Sequence, residues 1–227
     1  MLTGRDALLA RVDELRAAAG GGRVLLGLAG EPGSGKSTVA VLLVEALVAR
    51  GVPAVVVPMD GWHLSGRELA RLGRAGRKGA PDTFDAGGYL ALLRRLRLDA
   101  AETVWAPDFR REIEEAVAGS VAVDPAVQVV VSEGNYLLVD DGSWRGVADA
   151  FDAVWFVDAP ADERLRWLVA RHERYGKAPE AALAWATGPD EANARLVRST
   201  RGRADDEVDG AALWAEAAAE RAVGGRP

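Results

Sequence analysis

The chain has no cysteine, which removes disulfides, thiolate nucleophiles and Cys-based metal sites at once. It has two histidines, His63 and His172, too far apart in sequence to suggest a His-rich metal cage. Positive charge is in deficit: net charge is −6 and the isoelectric point about 5.1, which argues against a general nucleic-acid binder. Long apolar runs are missing too. The longest candidate, Val39 to Ala49, is broken by Glu45 and is too short to span a bilayer. The first residues alternate charged and apolar side chains, with no uninterrupted apolar stretch of the kind a secretory signal needs. The expectation is a cytoplasmic protein with no membrane or nucleic-acid partner; a homodimer stays open.

What is present is an ordinary globular mix, 49% apolar and 6% aromatic over 227 residues, enough for one α/β domain with a small lid. We therefore read residues 1–227 as a single domain. Leu8, Leu9, Val12 and Leu15 share a helical face, so residues 4–19 read as an amphipathic helix ended by Gly20-Gly21-Gly22. Short apolar runs at 24–29, 54–59, 128–132 and 153–157 read as buried parallel strands. Helical stretches follow at 36–50, 87–98, 161–175, 179–187, 189–198 and 211–223, and residues 60–85 look like loop. Strands alternating with helices imply a mainly parallel sheet covered on both faces. Trp62, Trp105, Trp155, Trp167 and Trp185 are expected in the core or as pocket wall.

Gly30-Glu31-Pro32-Gly33-Ser34-Gly35-Lys36-Ser37 matches G-x-x-x-x-G-K-[ST] in full, followed by Thr38. Such a loop curls so that successive backbone N–H groups face phosphate oxygens, and the next helix offers its positive end to the same anion. Lys36 is expected to reach the β- and γ-phosphates of ATP, and the Ser37 hydroxyl to ligate Mg²⁺. A strand before the motif and a helix after it supply the required context. Together these predict the P-loop NTPase three-layer sandwich.

Two carboxylates narrow the chemistry. Asp60 directly follows the second strand and Glu133 follows the third, both at the sheet's carboxyl edge, where α/β sites lie. In a kinase one carboxylate orients or deprotonates the acceptor hydroxyl, and another holds the metal directly or through water. Asp60 is assigned to the acceptor and Glu133 to the metal shell.

At this point Met59-Asp60-Gly61-Trp62-His63-Leu64, Arg77-Lys78-Gly79-Ala80-Pro81-Asp82-Thr83-Phe84-Asp85 and Glu133-Gly134-Asn135-Tyr136-Leu137-Leu138 resemble the uridine kinase, phosphoribulokinase and bacterial pantothenate kinase superfamily. The likeness is greatest to its branch labelled nucleoside/nucleotide kinase or fructose-transport kinase and runs from about residue 24 to 205. It implies ATP-dependent phosphorylation of a small hydroxyl compound, with the carboxylate after the second strand as base. Uridine kinases carry Asp-Ser-Phe-Tyr where this chain has Asp-Gly-Trp-His, so the acceptor cannot be copied from them. The resemblance also implies a lid near residues 161–188 whose arginine closes on the phosphates. Arg171 is the choice, with Arg164 on the same helical face. Asn193 and Arg201 fall in the segment that the resemblance places near the nucleotide base. The short apolar strand usual after that segment is replaced here by Asp206-Glu207-Val208-Asp209.

Arg77 and Lys78 offer a fork and a point charge for an anionic acceptor, or else form a solvated basic turn. His63, Asn135 and Tyr136 either line the acceptor pocket or serve packing and turns. The leading reading is a kinase acting on a nucleoside, a pantothenate-like compound or a sugar. The alternative is a regulatory NTPase without a small-molecule acceptor, or a non-catalytic nucleotide-binding module. A guanine-reading Asn-Lys-x-Asp is absent from the sequence, because none of its lysines (Lys36, Lys78, Lys177) follows an asparagine.

Overall fold

The computed structural model describes residues 1–98 and 101–224. Helix α1 (Arg5–Ala18) buries Leu8, Leu9 and Val12. Strand β1 (Val24–Ala29), buried at all six positions, feeds the Gly-rich loop and then α2 (Lys36–Ala49). Strand β2 (Ala54–Pro58) leads into a short 3₁₀ turn, Met59–Trp62. Helices α3 (Gly66–Arg71) and α4 (Ala86–Leu98) follow. Strands β3 (Val104–Arg110) and β4 (Glu115–Val123) form an antiparallel hairpin of their own. The chain returns through β5 (Val129–Gly134) and β6 (Ala153–Asp158). Helices α5 (Ala161–Arg174), α6 (Pro179–Thr187) and α7 (Pro189–Ser199) come next, then β7 (Asp206–Asp209) and α8 (Gly210–Gly224).

The central sheet has the order β2-β5-β1-β6-β7 and every neighbouring pair is parallel. Alternate residues of each strand face opposite layers. Leu26, Leu28 and Trp155 pack with α1 and α2 on one side; Leu25, Val130 and Phe156 pack with Tyr89 and Leu93 of α4 on the other. This is the three-layer α/β sandwich that the alternation predicts.

The structure adds to or departs from the sequence reading in five places. The second strand does not lie beside β1: β5 sits between them, with Pro58 opposite Glu133 and Glu133 in turn opposite Leu28. Burial explains the order, since β5 is buried at all six positions and suits a central slot, whereas β2 is mostly half-buried and takes the edge. Residues 104–123, left unassigned by periodicity, form the hairpin. Pro107 and Gly119 blur its pattern, and the register shifts between Ala106 and Asp108. Trp105 on that hairpin is 59% exposed and so belongs to neither core nor pocket. The stretch 60–85 contains a real helix, α3, capped by Ser65, whose Oγ accepts from Glu68 N at 3.2 Å. Asp206–Asp209 is still a strand despite its charge. As the sheet's edge it tolerates acids, and Asp206 pairs with Arg11 and Glu207 with Arg201.

Candidate active site

The strands β1, β2 and β5 end nearly flush, and their carboxyl ends bring the loop Gly30–Ser37, Asp60 and Glu133 to one edge. The loop is shaped by its own residues. Gly33 has φ +81°, and a Cβ there would lie 2.8 Å from the Arg164 carbonyl oxygen, so the loop can be this close to α5 only with glycine. Lys36 is buried and its Nζ donates to the Glu31 carbonyl at 2.9 Å. Burial lowers the Lys36 pKa to about 8, opposed chiefly by the nearby Glu133 charge. The Ser34 hydroxyl is buried without a hydrogen-bond partner among the described residues. A buried ammonium and an orphaned hydroxyl in a Gly-rich loop suit an incoming polyanion.

The Ser37 hydroxyl donates to Glu133 Oε1 at 2.8 Å. Burial, with Asp60 next, pushes the Glu133 carboxyl up. Among the described residues no three His, Cys, Asp or Glu side chains form a cluster that could hold a metal ion. The donor set is thus a hydroxyl and one carboxylate. It fits Mg²⁺, which keeps waters and phosphate oxygens in its shell rather than taking a full protein cage.

Asp60 sits in the 3₁₀ turn after β2. Burial works to raise its pKa, but His63, Arg111, Arg171 and Lys36 outweigh burial and hold the carboxyl below its usual range. Asp60 Oδ2 pairs with Arg111 Nη2 at 3.3 Å. The His63 ring stacks between Phe84 and Phe109, with centroids 4.0 and 4.7 Å away, and its Nδ1 bonds the Asp60 carbonyl at 2.9 Å. Burial lowers the His63 pKa against the pull of Asp60.

Two clefts open from this edge. The first, about 350 Å³, gathers most of the predicted residues: Pro32, Lys36, Ser37, Asp60, His63, Lys78, Glu133, Asn135, Arg171 and Asn193. The second, about 500 Å³, runs from Gly33, Gly35 and Thr38 along α2 to Trp167, Gly210 and Trp214, whose two indole rings are 6.0 Å apart. Lys36, Ser37, Arg111, Arg171 and Tyr175 border both clefts. The Arg171 side chain makes no ion pair or hydrogen bond among the described residues, and burial followed by repulsion from Arg111 lowers its pKa.

Other predicted residues lie elsewhere. Arg77 is exposed, lines neither cleft and is held by Asp82, so it is the solvated basic turn of the two readings. Glu31 turns away from the cleft and is gripped by Arg164 at 3.1 Å and Arg198 at 2.7 Å. Gly30 forms the base of the loop, where a Cβ would meet the Val157 carbonyl oxygen. Tyr136 is fully buried behind the first cleft, with its hydroxyl donating to the Gly79 carbonyl. Asn193 bonds the same carbonyl at 3.3 Å, which puts it beside the loop after β2 and away from the Trp167–Trp214 slot. Arg201 is likewise outside that slot, paired with Asp158 at 2.9 Å and with Glu207. Trp185 lines the first cleft, as pocket wall, whereas the sequence reading missed Arg111 and Tyr175. Arg111 had no signal, because the hairpin that carries it was not recognised as structure.

Residues 25–186 match the model of the phosphoribulokinase/uridine kinase family. The chain belongs to that family. One family relative, a Schizosaccharomyces pombe protein provisionally named a uridine kinase, is 37% identical over 136 residues, 57% of this chain and 58% of that protein. A pantothenate kinase of Streptomyces coelicolor is 34% identical over 159 residues, 66% of this chain and 48% of that enzyme. The chain therefore spans only about half the length of such curated relatives. A solved structure from Silicibacter sp. TM1040, provisionally assigned as a fructose transport system kinase, is 41% identical with TM-score 0.75, covering 85% of this chain and 98% of that one. The fold and the P-loop kinase family membership are thereby established. No helix among the described residues is long and apolar enough to cross a membrane.

Proposed function

We propose that the protein binds Mg·ATP at the P-loop and transfers the γ-phosphate to a hydroxyl of a small molecule held in the first cleft. One observation carries this reading: a cleft of about 350 Å³ is lined by Asp60 together with Lys36, Ser37 and Arg171. A regulatory NTPase needs only a water there, whereas this space accommodates an acceptor of nucleoside, pantothenate or sugar size.

The phosphates lie in the loop from Gly30 to Thr38, with Lys36 on the β/γ oxygens. The base follows the second cleft toward Trp167 and Trp214. Ser37 and Glu133 would hold Mg²⁺, which would supply positive charge to the phosphoryl oxygens. Asp60 orients the acceptor hydroxyl. Its oxygen forms the new bond to the γ-phosphorus, the bond to the β-bridging oxygen breaks, ADP leaves, and the hydroxyl proton passes to Asp60. Arg171 acts as the lid arginine on the transferring group, with residues 161–188 as the lid. His63, Lys78, Asn135 and Asn193 bound the acceptor. Dependence on ATP suits a cytoplasmic location.

The test is incubation with ATP, Mg²⁺ and a panel of nucleosides, pantothenate and simple sugars, with mass spectrometry of the products. A phosphorylated acceptor formed only with intact Lys36 is the expected result. ATP consumed at equal rates with and without every acceptor would favour the regulatory NTPase instead.

A further inference from the structure

Arg111 stands in the turn of the β3–β4 hairpin, just after Arg110 ends β3. Three observations single it out. It is one of five residues bordering both clefts, so it sits on the seam between the nucleotide slot and the acceptor space. Its guanidinium lies between two rings, 5.8 Å from the centroid of Phe109 on the hairpin and 5.7 Å from that of Tyr175 just beyond α5. Among the described residues its one polar contact is the 3.3 Å pair with Asp60, long for a charge-assisted bond and made through a single nitrogen.

The five residues that border both clefts include three cations and no carboxylate. Lys36, Arg111 and Arg171 converge there, faced from the first cleft by the carboxylates Asp60, Glu133 and Asp190. Arg111 and Arg171 repel one another, and although Asp190, Asp60 and Glu133 attract Arg171, its guanidinium forms no ion pair among the described residues. Two guanidiniums held this close call for an anion between them. The γ-phosphate is the anion that arrives at a seam between a P-loop slot and an acceptor cleft. An arginine that stays on Asp60 also occupies the carboxylate that an acceptor hydroxyl needs.

We propose that Arg111 is a catalytic residue that exchanges Asp60 for the γ-phosphate when ATP binds. The proposal rests on the kinase reading above. With ATP bound, the fork of Arg111 lies on the γ-phosphoryl oxygens opposite Arg171, and the Asp60 carboxylate is released to accept the acceptor hydroxyl. In the empty protein the Arg111–Asp60 pair stores both groups next to their working positions. The aromatic flanks restrict the guanidinium to short excursions between the two anions. After transfer ADP lacks the third phosphate, and Arg111 returns to Asp60.

The proposal separates triphosphate from diphosphate, so it can be tested without knowing the acceptor. Wild type, Arg111→Met and Arg111→Lys are titrated with the Mg²⁺ complexes of β,γ-imido ATP and of ADP, reading tryptophan fluorescence and, separately, calorimetric heat. The methionine keeps the stem between the rings and removes the fork. Affinity for the triphosphate analogue should fall about tenfold in Arg111→Met, with ADP affinity within about twofold of wild type. Arg111→Lys should recover part of the loss, because it restores charge without the fork. Should Arg111→Met not fold, Arg111→Lys carries the test, with a smaller loss confined to the triphosphate. Equal losses for both nucleotides, or none for either, overturn the proposal and leave Arg111 as a partner of Asp60 only. Wild-type protein that binds neither nucleotide sinks the kinase reading itself, and this proposal with it.

Discussion

At the residue scale the two acidic groups of the edge occupy different environments. Glu133 is 8% exposed and lies against the P-loop serine, while Asp60 is more open and surrounded by cations. That difference assigns the metal to Glu133 and the acceptor to Asp60 in the proposed mechanism. Asp60→Asn keeps the shape and loses the charge. It should lower kcat by roughly 10²–10⁴, the usual worth of a positioned acid–base group, with the ATP dissociation constant little changed. Steady-state kinetics and nucleotide titration of the same preparation check both halves; loss of ATP binding would move Asp60 out of the acceptor role. Arg171, unpaired among the described residues, should act mainly on the transition state. Arg171→Ala is therefore expected to reduce kcat more than it raises the KM for ATP, and a change in KM alone would make it a ground-state contact.

At the element scale the P-loop is fastened to the helices that follow β6. Arg164 of α5, 5% exposed, pairs with Glu31 at 3.1 Å and Glu191 of α7 at 2.7 Å, and donates to the Pro32 carbonyl at 3.1 Å. Arg198 of α7 closes on Glu31 with two nitrogens, at 2.8 and 2.7 Å. The loop carboxylate thus links loop, α5 and α7. Removing Arg164 leaves Glu31 buried with less compensation, so Arg164→Ala should cost about 3 kcal/mol of stability in chemical denaturation, and a loss below ~1 kcal/mol would show the network to be slack. The hairpin is positioned just as tightly against the turn that holds Asp60. A Cβ on Gly61 would lie 2.4 Å from the Pro107 carbonyl oxygen, a backbone atom of β3 that cannot step aside alone. Gly61→Ala should therefore displace Asp60 and the hairpin together. Activity should fall by at least tenfold, as expected when catalytic geometry shifts by about an ångström. Turnover at the wild-type rate would mean the hairpin yields freely.

At the scale of the whole molecule, binding at the edge ties together β1, β2, β5 and the helices from α5 to α7. A ligand that binds only the folded chain stabilises it by mass action, about 2.7 kcal/mol at a hundredfold excess over its dissociation constant. For a chain of this size that is a rise of roughly 5–10 °C in Tm. Mg·ATP should produce it in a thermal scan and Lys36→Ala should abolish it; an unchanged Tm for wild type would remove the nucleotide from the proposed function. What the sequence alone determined is what depends on contiguous residues. Gly30 to Ser37 specify their cradle locally, because backbone curl, helix start and lysine all lie within eight residues. Asp60 and Glu133 were legible as strand-end carboxylates, since any parallel strand delivers its next residue to the same edge. The tertiary structure decided the rest. Strand order followed from which strand could be buried on both faces, and this put β5, not β2, beside β1. The placement of Arg77 outside the cleft and of Arg111 inside it came from how the hairpin and the loop after β2 pack across the edge. Those are contacts between residues far apart in the chain, such as Arg111 with Asp60, and periodicity along one segment contains no information about which distant segment it will meet.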